Sequence, residues 1–218
     1  MVAIMTSGEP RLNFPFHRRP TPPPFENPSL GLPQIPDSPL YGSVPLSVVL
    51  ANSRFCDQSI KILQDMRDLT DILQFGSHHS SVGFDGPLQT LPTHPSSPSL
   101  LRMVHLTSTI YSRALSNPPT MLSSPINHRA MEQICRDLED CANDDNWVRY
   151  PGVLLWIILT TGAAATFRSE RSFFLMFLMR VGTSAVWWGP EEARLSLLRF
   201  LWVKRRSEGL ETRTWAGG

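Results

Sequence analysis

The chain reads as an all-α protein: an irregular multi-helix array of antiparallel helices behind a disordered, proline-rich N-terminal segment. Three observations predict it. Apolar residues recur at three- and four-residue spacing over most of the chain after residue 52. No strand-like alternation of convincing length occurs. Proline and glycine sit at the ends of the periodic stretches rather than inside them.

The N-terminal part is the exception to the pattern. Eleven of the 20 prolines fall within residues 10–45, and RRPTPPPFENPSLGLPQIPDSP cannot sustain a helix, because proline removes donors and clashes with the preceding turn. Residues 1–45 are therefore expected to be extended and disordered. Pro20 and Pro23 make a PxxP spacing beside Arg18 and Arg19, which could dock on an SH3-like groove, although a plain linker explains the same composition.

The first helix is expected over 52–74, with Phe55, Cys56, Ile62, Leu63, Met66, Leu69, Ile72 and Leu73 on one face, Asn52 or Ser53 as cap and Gly76 as stop. Residues 76–99 are a loop rich in Ser, Gly and Pro, so 46–99 reads as one helix plus a loop. Residues 100–206 read as a helical domain, and 207–218 as a flexible tail. A second helix carries Leu100, Leu101, Val104, Ile110, Tyr111 and Leu115, and NPP at 117–119 ends it. Ser124 with Pro125 opens a third, whose face is Ile126, Ala130, Ile134, Leu138 and Cys141. Pro151 opens a fourth that runs to about Thr166. Ser169 and Glu170 open a fifth through Phe173, Phe174, Phe177, Leu178 and Val181. The last has Glu191 and Glu192 in its first turn, a stripe of Leu195, Leu198, Leu201 and Trp202, and Lys204, Arg205 and Arg206 at its end, where the helix dipole favours cations.

YPGVLLWIILTTGAAATF, residues 150–167, carries no charge. A membrane span needs about 20 consecutive apolar residues. Here Tyr150, Pro151, Gly152, Thr160, Thr161, Gly162 and Thr166 thin the run, and only Val153 to Leu159 are densely apolar. The segment after it carries Arg180 near its middle, which costs about 2.5–3.5 kcal/mol at a bilayer centre. A central helix of a soluble core fits this better than the alternative, a small membrane protein with a hairpin at 151–167/172–188.

Composition excludes several function classes. A formal charge of +1, spread evenly, gives no bulk attraction to nucleic acid or anionic lipid. Three cysteines (Cys56, Cys135, Cys141) form no disulfide framework and favour a reducing, intracellular setting. The N-terminus has no secretory signal pattern. Cys135, Cys141, His78, His79, His105 and His128 offer no metal-ligand spacing. No nucleotide-binding, nucleophile-elbow or zincin motif occurs, and the acid pairs Asp144–Asp145 and Glu139–Asp140 read as solvated helix ends. No catalytic, cofactor-binding or metal-binding residue is assigned, and no cofactor is expected. Lys204-Arg205-Arg206 could serve as a short nuclear signal, and Trp187 with Trp188 as a stacking wall; helix-end charge and packing are the commoner explanations.

Five segments in order resemble the C-terminal part of the large regulatory domain of fungal zinc-cluster transcription factors: LTSTIYSRAL (106–115), SSPINHRAMEQICRDLE (123–139), WVRYPGVLLWIILTTGAAA (147–165), ERSFFLMFLMRV (170–181) and LLRFLW (197–202). The similarity lies in their order and spacing over about 100 residues, with 41–75 as a weaker continuation and 1–40 outside it. It implies a non-enzymatic, all-α regulatory domain of a nuclear protein that acts through protein partners, either transcription machinery or further copies of itself. It implies no small-molecule ligand that can be named, and no membrane. The family's six-cysteine DNA-binding cluster is absent here, so direct nucleic-acid binding is not expected, and a truncated or cluster-less homologue is implied. No functional residue transfers, because the matching positions look structural.

Overall fold

A computed structural model describes residues 37–42, 44–75, 98–142, 146–185 and 190–210. It is all-α, and no strand occurs among the described residues. The helices are α1 (Leu46–Val49), α2 (Asp57–Phe75), α3 (Ser99–Leu115), α4 (His128–Asp140), α5 (Asn146–Arg149), α6 (Pro151–Ala164), α7 (Arg168–Ala185) and α8 (Pro190–Ser207). A 3-10 turn, Pro125–Asn127, leads into α4.

The uncharged stretch is the core. Within α6, Val153 to Ile158 are all buried, and Trp156 is 0 % exposed. With no polar face, the helix has to be surrounded, and α3, α4, α7 and α8 all pack on it. Pro151 starts α6 at the position where its missing N–H is no loss. At 14 residues it is about 21 Å long, short of the roughly 30 Å hydrocarbon layer. Among the described residues no helix is long and apolar enough to cross a membrane.

Two helical hairpins build the body. Residues 165–167 reverse the chain from α6 into α7, and Gly162 lets Phe174 approach, since a Cβ there would lie 3.2 Å from that of Phe174. Glu170 opens α7 by accepting the backbone N–H groups of Thr166 (3.1 Å) and Phe167 (3.0 Å), which is half of a capping box. In the other hairpin, Arg102 of α3 pairs with Asp137 of α4, while Arg113 donates to Asn127 at 3.0 Å, so these helices also run antiparallel. His128 lies against Phe167 at one end of α4 and α7, and Arg180 donates to the Ala142 carbonyl at the other. These two helices therefore share a direction, and so do α3 and α6. Tyr111 meets Trp156 edge-on, with ring centroids 5.7 Å apart.

Several expectations from the sequence need correction. The packed chain begins by Asp37, within the segment assigned to disorder up to residue 45: Asp37, Ser38 and Leu40 are buried. Residues 46–75 share one core with 100–206, because Leu46, Leu63 and Met66 join the cluster that holds Trp156. The helix expected from 52 starts at Asp57. Asn52 and Ser53 lie in the turn after α1, and Cys56 stands at the entry of α2, its carbonyl accepting the Ile60 N–H. Ser124 makes no side-chain cap, and Ile126 points outward, because the 3-10 turn rotates it away from the face that carries Met131, Ile134 and Leu138. The stripe of α8 is displaced too. Ser196, Phe200, Val203 and Ser207 face inward, whereas Leu198 and Leu201 are exposed. The rest of the N-terminal segment, the 76–97 loop and the tail from 211 lie outside the described residues.

Candidate functional site

Among the described residues no group of three or more His, Cys, Asp or Glu could hold a metal ion. Cys135 sits on α4, half-buried, and burial pushes its thiol up to about 11, with Glu170, Glu139 and Glu132 adding to the effect. Cys141 is buried just beyond the helix. His128 reaches Glu132 one turn on, at 3.2 Å. Glu139 and Asp140 are exposed at the end of α4. Lys204 lies 3.9 Å from Glu208, and the Arg206 guanidinium lies 6.0 Å from the centre of the Trp202 ring. The PxxP segment with Arg18 and Arg19, His78, His79, Asp144 and Asp145, and Trp187 and Trp188 as a wall fall on residues, or side chains, outside the described set.

Two polar clusters went unnoticed in the sequence. In the first, residues 37–42 form a strap over the bundle. Asp37 receives the N–H groups of Gly152 (2.8 Å) and Val153 (3.2 Å), at the start of α6. Arg67 of α2 donates to the carbonyls of Ser38 and Val44, and Arg199 of α8 to that of Leu40 at 3.2 Å and to Asp71. Full burial raises the Asp37 carboxyl from 3.8 to about 6, against the opposing pull of the two N–H groups and Arg67. Burial likewise holds the Arg67 guanidinium below its usual range, opposed by Asp71 and Asp68. Gly42 is needed under this clamp, because a Cβ would come 2.8 Å from Arg67 Nη2. The signal available in the sequence was the lone Asp37 after a proline, and nothing local marks it as a cap for a helix over 100 positions away.

In the second, the Cys56 thiol lies 3.3 Å from the Ser59 hydroxyl, which lies 3.5 Å from His105 Nε2. Partial burial pushes the thiol up, but the Ser59 hydroxyl and the N–H groups of Ser59 and Gln58 outweigh it and leave Cys56 below its ordinary value. Burial lowers His105. The Cys56 thiol is thus exposed and below its ordinary value, whereas Cys135 is half-buried and Cys141 buried.

The surface carries the third feature. α7 turns Phe174, Phe177 and Val181 into the core and leaves Leu175, Met176 and Met179 outside, at 58, 59 and 67 % exposure. Arg168, Arg171 and Arg180 are exposed around them. On α8, Leu197, Leu198 and Leu201 are exposed between Arg194 and Arg205. Such stripes are where a helical protein makes contacts. They offer no group for bond chemistry.

No family model matches the chain, and no curated protein or solved structure matches it either.

Proposed function

We propose that this chain is a non-enzymatic helical regulatory domain, of the kind found in fungal zinc-cluster transcription factors, acting in the nucleus through protein–protein contacts. One observation carries the reading. Each segment that resembles the family falls on helical structure: 106–115 in the second half of α3, 123–139 on the 3-10 turn and α4, 147–165 on α5 and α6, 170–181 within α7, and 197–202 within α8. The most family-like of them, with its PG turn, LLW core and small-residue end, is the central helix. The exposed apolar stripes on α7 and α8 supply contact surface, and contact with nucleic acid is not part of the proposal.

The test is a tethering assay. The full chain is fused to an unrelated DNA-binding domain and placed upstream of a reporter in a fungal host. Transcription that rises or falls relative to the DNA-binding domain alone, with the fusion's untethered counterpart in the nucleus, supports the proposal. A reporter that does not respond, with the chain held outside the nucleus, contradicts it.

A further inference from the structure

We propose that Cys56 is a site of reversible oxidation by hydroperoxides, and that Ser59 and His105 stand behind it as a relay that takes up the thiol proton. The proposal is independent of the regulatory reading above: either can fail without the other.

The cluster joins two helices. Cys56 stands at the entry of α2, where its carbonyl accepts the Ile60 N–H at 3.1 Å, so it occupies the cap position. Ser59, in the first turn of α2, is 0 % exposed. His105 comes from α3 and is half-buried. The Cys56 Sγ lies 3.3 Å from the Ser59 Oγ, and that oxygen lies 3.5 Å from the His105 Nε2. Cys56 itself is exposed, so a small oxidant reaches the sulfur from water while the relay sits behind it.

The hydroxyl decides what the cluster can do. It has one proton to give and lone pairs to receive, so it cannot donate to both neighbours. In one arrangement the thiol donates to Ser59 and Ser59 donates to a neutral His105. In the other, a protonated His105 donates to Ser59 and Ser59 donates to a thiolate. The two differ by one proton relayed from sulfur to imidazole. The N–H groups of Gln58 and Ser59 face the sulfur and favour the thiolate. Partial burial of the imidazole favours the neutral pair. A nucleophile whose proton has a base within one relay step is an activated one. The separation of 3.5 Å is long, as such contacts often are at rest, and shortens as charge develops. Cys135, beside Glu132, Glu139 and Glu170, has its thiol pushed the opposite way.

The step balances with the oxidant alone. The thiolate attacks one oxygen of the hydroperoxide; the S–O bond forms and the O–O bond breaks. Sulfur is oxidised by two electrons and the peroxide reduced. The departing oxygen takes up the proton released by the thiol and leaves as water, or as an alcohol from an organic hydroperoxide. The product is a sulfenic acid. Two equivalents of a low-molecular-weight thiol return it to the thiol, giving their disulfide and water.

The reduced full chain is treated with hydrogen peroxide at pH 7.4 in the presence of dimedone, which traps sulfenic acids, and the adduct is located by peptide mapping. The expected result is one adduct, on Cys56, forming about tenfold faster than any adduct in the urea-unfolded chain. Ser59→Ala and His105→Gln should each slow it several-fold, and should move the pH profile of Cys56 alkylation by iodoacetamide upward. A merely structural role for Ser59 or His105 would leave that profile in place. The other charged groups of the segment, Arg54, Asp57 and Lys61, are exposed and unchanged in both variants. Where Ser59→Ala opens the fold, seen as fast alkylation of all three thiols, His105→Gln carries the comparison. Adducts on Cys135 or Cys141 first, a native rate no faster than the unfolded one, or a rate and pH profile unchanged by the substitutions would overturn the proposal.

Discussion

The carboxylate of Asp37 caps the N-terminus of α6, accepting the N–H of Gly152 at 2.8 Å and of Val153 at 3.2 Å. The two residues that form this cap are 115 positions apart along the chain. Gly152 and Val153 belong to the first turn of a helix whose start makes no side-chain cap of its own. Orphan N–H groups at a buried helix start need an acceptor, and the strap supplies it.

Burial of that carboxyl, which outweighs the pull of the two N–H groups, makes stability depend on pH in an unusual direction. The folded carboxyl titrates near 6 and the unfolded one near 3.8. Between those values the folded chain holds a proton that the unfolded chain has lost. Asp37 therefore favours folding most at the acid end, and its contribution declines as pH rises through the folded value, by roughly 3 kcal/mol in total. Urea denaturation of the wild type and Asp37→Asn at several pH values between 4 and 7 isolates the effect. The stability difference between the two should shift against the wild type across this window and level off above it. A difference that stays constant with pH removes the buried-carboxylate explanation.

Trp156 is the largest side chain in the core, edge-on to Tyr111. Trp156→Ala should cost about 3–5 kcal/mol in chemical denaturation. Its Nε1 is buried without a hydrogen-bond partner, so Trp156→Phe should cost much less, the loss being volume rather than a bond. A loss under about 1 kcal/mol for the alanine variant would place Trp156 outside the core.

Asp137 is buried on α4 and receives Arg102 Nε at 2.9 Å and Gln133 Nε2 at 3.0 Å, and Arg102 Nη2 donates to it as well. Asp137→Ala removes the acceptor that ties α3 to α4 and should cost about 3 kcal/mol. The loss should persist at high salt, because a pair this buried is poorly screened. A cost that vanishes at 1 M salt would mark the pair as a surface contact.

The three thiols should separate kinetically. Cys56 is exposed with its thiol below the ordinary value, Cys135 is raised to about 11 and Cys141 is buried. Ellman's reagent at pH 7.5 should find one fast thiol and two slow ones in the native chain, and three alike in denaturant. Ser59→Ala should slow the fast one, by removing the hydroxyl that lowers it. Fast labelling in a Cys56→Ser variant would contradict the assignment.

Much of this architecture can be read from residue order alone, and the failures have physical causes. Periodicity finds α3, α4, α6 and α7 because one or all of their faces are apolar, and Pro125, Pro151 and Pro190 mark helix starts through local backbone chemistry. The close approach at Gly162 follows from the missing Cβ. Long-range pairings leave no local trace. Nothing near Asp37, Arg67 or Arg199 in the sequence marks them as buried; the fold brings them to carbonyls and N–H groups distant in sequence. The stripe on α8 went astray because its leucines recur at the spacing of a core face, while two of the residues that face inward are serines. Packing chose Ser196, Phe200, Val203 and Ser207 instead and left Leu197, Leu198 and Leu201 outside. On α7 the face expected in the core does carry the buried Phe174, Phe177 and Val181, and Leu175, Met176 and Met179 lie outside it.

The measurement that bears most directly on the architecture is native-state hydrogen exchange of the full chain in buffer without detergent. If the uncharged stretch is a protein core, the amides of Val153 to Thr161 exchange slowest of all, at rates set by global unfolding, and Trp156→Ala accelerates them in step with the loss of overall stability. Amides in this stretch that exchange as fast as those of an exposed helix, or that gain protection only when micelles are added, would contradict a helix enclosed by its own protein.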